Sequence, residues 1–364
     1  MKKKSFALLI LGSLMLLLAG CGGQKSNSQS TSSKASTTAT TQRTFTDSVG
    51  RKVKLPQKIT KIAPSGPLAQ LVLYSSTPDK LVGIAGDFPS EAANMIPKKY
   101  QDLPKFGQFY GKSSNLNMEA LSAADPQVIV DIGEKKGSEK EDMDKLQQQL
   151  KIPTVFIEAN LDHLPATYQK LGELTGNKKA NQALADYCTK VLAQAKTARQ
   201  KIGDKKATVY YASGKAGLNT NAQGSFHSQI FDTIGVTNVV KDVQIASQGN
   251  GTTVSIEQLM QWQPEYIIAE SDAVYQTIKT DPSWQQLTAV QKNRVYKVPT
   301  VPYNFLGFPP SVNRIMGIQW LGNLIYPDVY KLDIQKNVKT YYKLFWHIDL
   351  TKAQLQQVLD HGTR

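Results

Sequence analysis

Two segments of this chain are versions of one pattern. Residues 118–130 read MEALSAADPQVIV and residues 256–268 read IEQLMQWQPEYII. Counted from the Glu, both carry Leu two positions on, Pro seven on and a β-prone apolar run from the ninth, at an offset of 138 residues. Self-similarity at a wide offset means that one supersecondary unit is used twice. In each copy a short helix carries Glu in its first turn, and Pro opens the entry to a buried strand. The pattern predicts two related α/β lobes, each with one exposed acid, Glu119 and Glu257. Taken singly, either Glu is explained by the helix N-terminus, where an acid gains ~0.3–1 kcal/mol. Both acids at matching places in a duplicated unit ask for a shared role.

The rest of the chain fits paired lobes. KITKIAPSGPLAQLVLYSS (58–76) reads as strand, Gly-Pro turn and helix, KLVGIAG (80–86) as a second strand, and TVFIE (154–158) as a third after a helix at 138–150. In the second half ATVYYAS (207–213), EYIIAES (265–271) and RVYKVP (294–299) read as strands, and SFHSQIFDTIG (225–235) as a helix with a Gly C-cap. Strands alternating with helices imply mostly parallel sheets. Between the halves, residues 164–202 are helical in pattern, with a break at Gly176-Asn177. After the break, Ala180, Leu184, Tyr187, Val191, Leu192 and Ala195 recur at helical spacing. A rod of about 35 Å joining two lobes resists large hinge bending.

The start of the chain sets its address. Lys2, Lys3 and Lys4 precede an apolar run from Phe6 to Leu18, and small residues lead into Cys21 within LLLAGCGG (16–23). This describes a secretory signal, too short for a membrane span of ~20 residues. The L-x-A-G-C ending resembles the bacterial lipobox, which makes Cys21 the expected site of lipidation and the first mature residue. Buried acyl chains contribute ~0.8 kcal/mol per CH₂ to membrane anchoring. Residues 24–42, QKSNSQSTSSKASTTATTQ, contain no aromatic, Leu, Ile, Val or Gly. Such a segment cannot offset its ordering entropy and reads as a disordered tether. The expected organisation is a lipoprotein signal at 1–20, tether at 21–43, N-terminal lobe at 44–163, linking helix at 164–202, C-terminal lobe at 203–330 and a helical extension at 331–364.

Composition excludes several functions. The formal charge is +14, and removing residues 1–20 takes away three lysines and no acids, leaving +11. A basic surface suits nucleic acid, anionic lipid or anionic ligands, and export argues against nucleic acid. After Cys21 only Cys188 remains, so no intrachain disulfide is available; in its helical pattern Cys188 reads as a small packed residue. His163, His227, His347 and His361 show no zinc-hydrolase spacing. No G-x-S-x-G is present, since GSFHS (224–228) lacks the second Gly, so a lipid-anchored hydrolase has no support.

Several runs carry a family resemblance. FTDSVGRKVKLP (45–56), the two Glu–Leu–Pro units, DPSWQQLTAVQKNRVYKVP (281–299), FPPSVNRIMGIQWLGNLIYPD (308–328) and YYKLFWHIDLT (341–351) resemble the ABC-importer substrate-binding proteins for iron–siderophores, haem and vitamin B12. The resemblance covers nearly all of residues 44–352. It implies an α/β fold of two lobes with mostly parallel central sheets, bridged by one long α-helix, with a ligand cleft between the lobes. It also implies that Glu119 and Glu257 dock with arginines of a membrane permease dimer. Exposed acids on both lobes read lobe orientation, through bidentate Arg contacts that favour rate and register.

Pockets in open α/β folds lie at the C-terminal edges of the strands. The candidates for ligand contact there are Ser65, Gly66, Tyr110, Tyr211, His227, Tyr303 and Arg314. Each has a plainer reading: Tyr211 as core, since strands alternate faces; His227 as a helix cap; Arg314 as a brace for its helix. Pro67, Phe109, Glu134, Lys135, Ser213, Phe226, Ser271, Asp272 and Asn304 sit at comparable loop positions. In the family reading His227 could ligate iron within a ferric complex or haem, and Arg314 could hold a carboxylate-rich siderophore bidentately.

The expected function is therefore capture of an iron complex outside the cell and delivery to the permease, by a lipid-anchored monomer with no cofactor, no nucleic-acid partner and no chemistry on the cargo. Alternatives with the same fold are a corrinoid or a bare divalent metal such as zinc or manganese, which wants three or four converging His, Asp or Glu side chains. An adhesin built on this fold is a further alternative.

Overall fold

The computed structural model describes residues 41–109, 114–241, 251–307 and 309–364. Cys21, the expected signal and nearly all of the tether lie outside the described residues, as does Tyr110.

The N-terminal lobe opens with an antiparallel hairpin of β1 (Gln42–Thr46) and β2 (Lys52–Pro56), two residues before the boundary expected at 44. Its alternation turns Phe45, Val53 and Leu55 inward. Then follow β3 (Ile62–Pro64), α1 (Pro67–Ser76), α2 (Lys98–Gln101), α3 (Met118–Ala124), β4 (Val128–Gly133), α4 (Glu139–Leu150) and β5 (Thr154–Glu158). The sheet order is β3-β4-β5, all parallel, with Ala63 beside Ile129 and Val130 beside Val155. Next come α5 (Leu164–Thr175) and α6 (Lys178–Ile202).

The C-terminal lobe holds β6 (Thr208–Ala212), β7 (Asn219–Thr220), α7 (Gln229–Ile234), β8 (Thr237–Asn238), β9 (Thr252–Thr253), α8 (Ile256–Trp262), β10 (Tyr266–Ala269), α9 (Asp272–Thr280), α10 (Thr288–Gln291), β11 (Val295–Lys297) and α11 (Asn313–Ile325). Its main sheet runs β11-β10-β6-β8, also parallel throughout. The chain ends in α12 (Pro327–Tyr330), α13 (Ile334–Tyr341), a π-helical turn at Tyr342–Trp346 and α14 (Lys352–Val358).

The sequence repeat is a structural repeat. α3 and α8 are both seven residues long and feed the parallel strands β4 and β10. Asn117 caps α3 by accepting from the Ala120 amide, and Ser255 caps α8 in a reciprocal box with Gln258. Both helices end on a non-Gly residue in the left-handed region, Asp125 at φ 47° and Gln263 at φ 41°. Pro follows each, and the residue before proline is steered away from helical geometry. Leu121 and Leu259 are buried in their lobes.

The stretch expected as one linking unit, 164–202, divides at Gly176, which takes φ 76° and ends α5. α5 packs along α6 and ties to β5, where Thr167 donates to the Glu158 carbonyl at 2.7 Å. The bridge is α6 alone, 25 residues and about 37 Å long. At its N-terminal end Ser76 donates to the fully buried Asn181 at 2.6 Å. Near its C-terminal end Arg199 donates to the Asp232 carbonyl at 3.4 Å, and nearer its middle Tyr187 accepts from Gln319 of α11 at 2.9 Å. Cys188 is fully buried, and burial pushes its thiol well up.

One apolar core runs from Val72 and Leu73 of α1, through Leu184 and Val191 of α6, to Ile318 of α11 and Trp346. Two smaller cores back the outer sheet faces, around Phe156 in the first lobe and Ile267 in the second. The segment after 330, expected as an extension, is part of the main core.

Candidate ligand cleft

The carboxyl ends of β3 and β4 build one wall. At the end of β3 the Ser65 amide donates to the Val130 carbonyl at 3.2 Å, and its hydroxyl donates to Asp131 of β4. Asp131 is 4% exposed, the one acid within VIVDIG. Beyond β4 the chain turns at residues 134–138 into α4. Glu139 folds back to accept from the amides of Lys136 at 2.6 Å and Gly137 at 2.7 Å. Burial opposes its charge, but those amides, its own and the Lys136 charge win and hold the carboxyl below its usual range.

The opposite wall comes from the other lobe. Ser225 accepts from the Ser228 amide and starts a short helical turn carrying Phe226 and His227, both half-buried. Pro309 and Pro310 flank them. The His227 Nδ1 is placed to donate to the Gly307 carbonyl at 3.4 Å. Burial lowers the His227 pKa, the Gly307 bond opposes this, and the Arg314 charge adds to the lowering.

Between the walls lies a cleft of about 1080 Å³, larger than the concavities of 390 and 530 Å³ beside His163. Pockets of ~300–1,000 Å³ accommodate small organic ligands. Ser65, Gly66 and His227, expected from sequence, line it together with Gln108, Asp131, Glu134 and Phe226. Asp131 and Gln108 were not singled out from sequence; an acid inside an apolar strand was the legible signal for the first.

Two expected contacts are instead packing residues. Tyr211 is 2% exposed and its hydroxyl accepts from Asn304 at 3.1 Å. β6 is buried on both faces, so Tyr210 and Tyr211 are both core and neither lines the cleft. Tyr303 stacks on Trp346 with centroids 5.7 Å apart, and burial raises its phenol well up. It faces the C-terminal segment and does not line the cleft.

Arg314 stands behind the wall. It projects from α11, is fully buried, and has its Cζ 4.7 Å from the Phe226 ring centroid. Nη1 donates to the Phe226 carbonyl at 3.0 Å and to Gln229 at 3.3 Å. Nε and Nη2 have no hydrogen-bond partner among the described residues. Burial pulls the guanidinium down to about 10, against the fields of Glu134 and Asp162 in the other lobe. Gly307, at φ 109°, makes room for it: a Cβ there would lie 2.9 Å from the Arg314 Cδ.

Glu119 and Glu257 are exposed in the first turns of α3 and α8. A hydrogen bond from the Ser255 hydroxyl, then the Glu257 amide, lowers the Glu257 pKa. Among the described residues, one cluster could converge three metal ligands, Asp272, Asp360 and His361. It is not on the cleft, and the Lys297 ammonium already sits 2.9 Å from Asp272 and 3.2 Å from Asp360. No helix of the described residues is long and apolar enough to cross a membrane.

Comparison with known proteins places this architecture. The family described as periplasmic binding protein matches residues 74–302. An ABC transporter solute binding protein from Sulfurospirillum deleyianum is 31% identical, with a TM-score of 0.79, over 87% of this chain and 98% of that one. A periplasmic solute binding protein from Veillonella parvula is 25% identical, with a TM-score of 0.72, over 88% and 98%. The molybdate periplasmic binding protein MolA of Haemophilus influenzae, 20% identical with a TM-score of 0.66 over 85% and 99%, shares the fold. No curated protein matches the chain. Proteins of this family work outside the cytoplasm and bind solutes rather than transform them. The chain belongs to the periplasmic binding protein family, as the substrate-binding component of an ABC transporter.

Proposed function

We propose that this protein captures an iron complex, siderophore or haem-like, at the outer face of the cytoplasmic membrane, and hands it to a permease dimer while tethered as a monomer by a lipid on Cys21. The cleft carries the reading: about 1080 Å³ between two walls is the size of a chelated complex and far more than a bare ion needs. The bare divalent metal is disfavoured because no convergent ligand set lines the cleft among the described residues. A corrinoid remains the second reading on the same ground of volume. In this reading α6 and the shared core limit hinge bending, and Glu119 and Glu257 present one acid per lobe to permease arginines.

The test is a thermal-shift panel on the full chain with ferric catecholate, hydroxamate and carboxylate complexes, haem and cobalamin. Binding at about 100 times Kd adds ~2.7 kcal/mol of stability. An iron complex that raises the melting temperature is the expected result. A shift with cobalamin alone favours the second reading, and no shift with any of them overturns both.

A further inference from the structure

The chain is strongly basic, yet its cleft is not. The formal charge is +14, while the described residues lining the cleft bring four carboxylates, Asp131, Glu134, Glu139 and Asp142, against one ammonium, Lys136. Glu139 and Asp142 have a local explanation, since both stand in the first turn of α4, where acids are favoured. Asp131 and Glu134 precede that helix and have none. Three of the four are also committed within their own lobe. Asp131 accepts from the Ser65 hydroxyl, Glu139 from the Lys136 and Gly137 amides, and Asp142 from the Ser138 hydroxyl at 2.8 Å. Glu134 differs. It is half-buried just past the carboxyl end of β4, and its carboxylate makes no hydrogen bond or ion pair among the described residues. Its field reaches Arg314 across the cleft, but that guanidinium is fully buried and does not line the cavity. The facing wall, Phe226, Pro309 and Pro310, is apolar apart from His227. Burial lowers the His227 pKa, so the imidazole is uncharged at neutral pH. A cleft lined by one sign of charge with low-dielectric walls focuses its field and concentrates ligands of the opposite sign.

We infer that the cargo carries a cationic group, that Glu134 receives it in the field of Asp131, Glu139 and Asp142, and that the apolar body of the cargo rests on Phe226, Pro309 and Pro310. This rests on the solute-capture reading above and narrows it to positively charged cargo, against the anionic ligands that the charge of the whole chain suggests. Beyond a Debye length of ~8 Å in physiological salt the rest of the chain is screened, so a ligand at the cleft meets the local acids first.

The experiment uses the full chain and its Glu134→Gln, Glu134→Lys and Glu141→Gln variants. The probes are a linear ferric trihydroxamate with a terminal ammonium, the same complex made neutral by acetylating that amine, ferric citrate, and iron-free spermine. Wild type is expected to bind the ammonium complex about 10-fold more tightly than the acetylated one, the usual worth of one hydrogen bond to a charged group, and ferric citrate most weakly. Glu134→Gln should erase that preference and flatten the salt dependence of association, with the acetylated complex held within about 2-fold. Glu134→Lys should reverse the order and favour ferric citrate. Glu141, an exposed acid of α4 that does not line the cleft, is the control, and Glu141→Gln should match wild type. Because the Glu134 carboxylate supports no bond in its lobe, Glu134→Gln should move the ligand-free melting temperature by no more than about two degrees. Equal affinity for the acetylated and ammonium complexes, or tighter binding of ferric citrate than of either, overturns the inference while leaving solute capture intact. A Glu134→Gln protein that melts several degrees lower, or that loses both trihydroxamates alike, makes Glu134 a structural acid and also overturns it. Spermine binding that needs Glu134, with no iron complex bound, keeps the cationic cargo and removes the iron reading. Binding of no probe at all overturns both.

Discussion

The indole of Trp346 stacks on the ring of Tyr303 with centroids 5.7 Å apart and planes within 25°. A second ring neighbour is Tyr74 of α1, at 5.6 Å. Tyr303 belongs to the second lobe and Tyr74 to the first, so one side chain near the end of the chain touches both. Its neighbour Phe345 adds Tyr168 of α5 at 5.8 Å and Tyr187 of α6 at 5.4 Å. The C-terminal segment is a wedge that braces the lobes beside the bridging helix. Trp346→Ala should therefore cost ~3–5 kcal/mol, the usual cost of emptying a large buried aromatic site. Urea unfolding reads this directly; a loss under about 1 kcal/mol would reduce the segment to an appendage.

The docking role proposed for Glu119 and Glu257 predicts a separation of two activities. Glu119→Ala and Glu257→Ala remove exposed carboxylates that support no core. Ligand affinity should be unchanged, while ligand delivery to permease-containing vesicles falls several-fold for each and further for the pair, more steeply at low salt. Variants that transport normally at low salt would remove these acids from the interface.

Cys21 predicts where the protein sits. Cys21→Ser has no thiol to acylate, so the chain should leave the membrane fraction, and the diacylglyceryl mass should vanish from the N-terminal peptide. Cys188, buried with its thiol pushed up, cannot substitute. Equal membrane retention of both proteins would refute the anchor.

His227 predicts a pH dependence. Burial lowers its folded pKa beneath the ordinary ~6.5. The unfolded chain therefore binds more protons as pH falls through about 6.5, and stability declines with falling pH until the folded imidazole is itself protonated. His227→Gln should lose less stability than wild type between about pH 7.5 and 5.5. Parallel stability curves would mean that His227 titrates normally.

Much of this was readable in advance because it is local. Pro126 and Pro264 end their helices whatever surrounds them, and Gly176 breaks the helical pattern where the structure breaks it. Tyr211 was not readable, because alternation assigns a face only when one face is wet, and β6 has core on both sides. Arg314 was legible as a basic residue in an apolar run, but not its depth, since α11 is buried almost all round and offers no polar face to orient by. The wedge was hidden for another reason: α13 has an ordinary amphipathic pattern, and no local rule says which lobe it meets.

By itself the sequence determined two lobes, parallel sheets, the bridging helix and the matched acids, since duplication, capping and period are set by near neighbours along the chain. Only the tertiary structure decided which side chains face the cleft, that Arg314 is buried beside Phe226 with no carboxylate partner among the described residues, and that the last thirty or so residues pack into the shared core. Those facts depend on contacts between residues far apart in sequence, such as Arg314 with Phe226, 88 positions away, and His347 with Tyr74, 273 away. Burial and pairing at that range arise from the packing of whole elements, which a linear pattern does not encode.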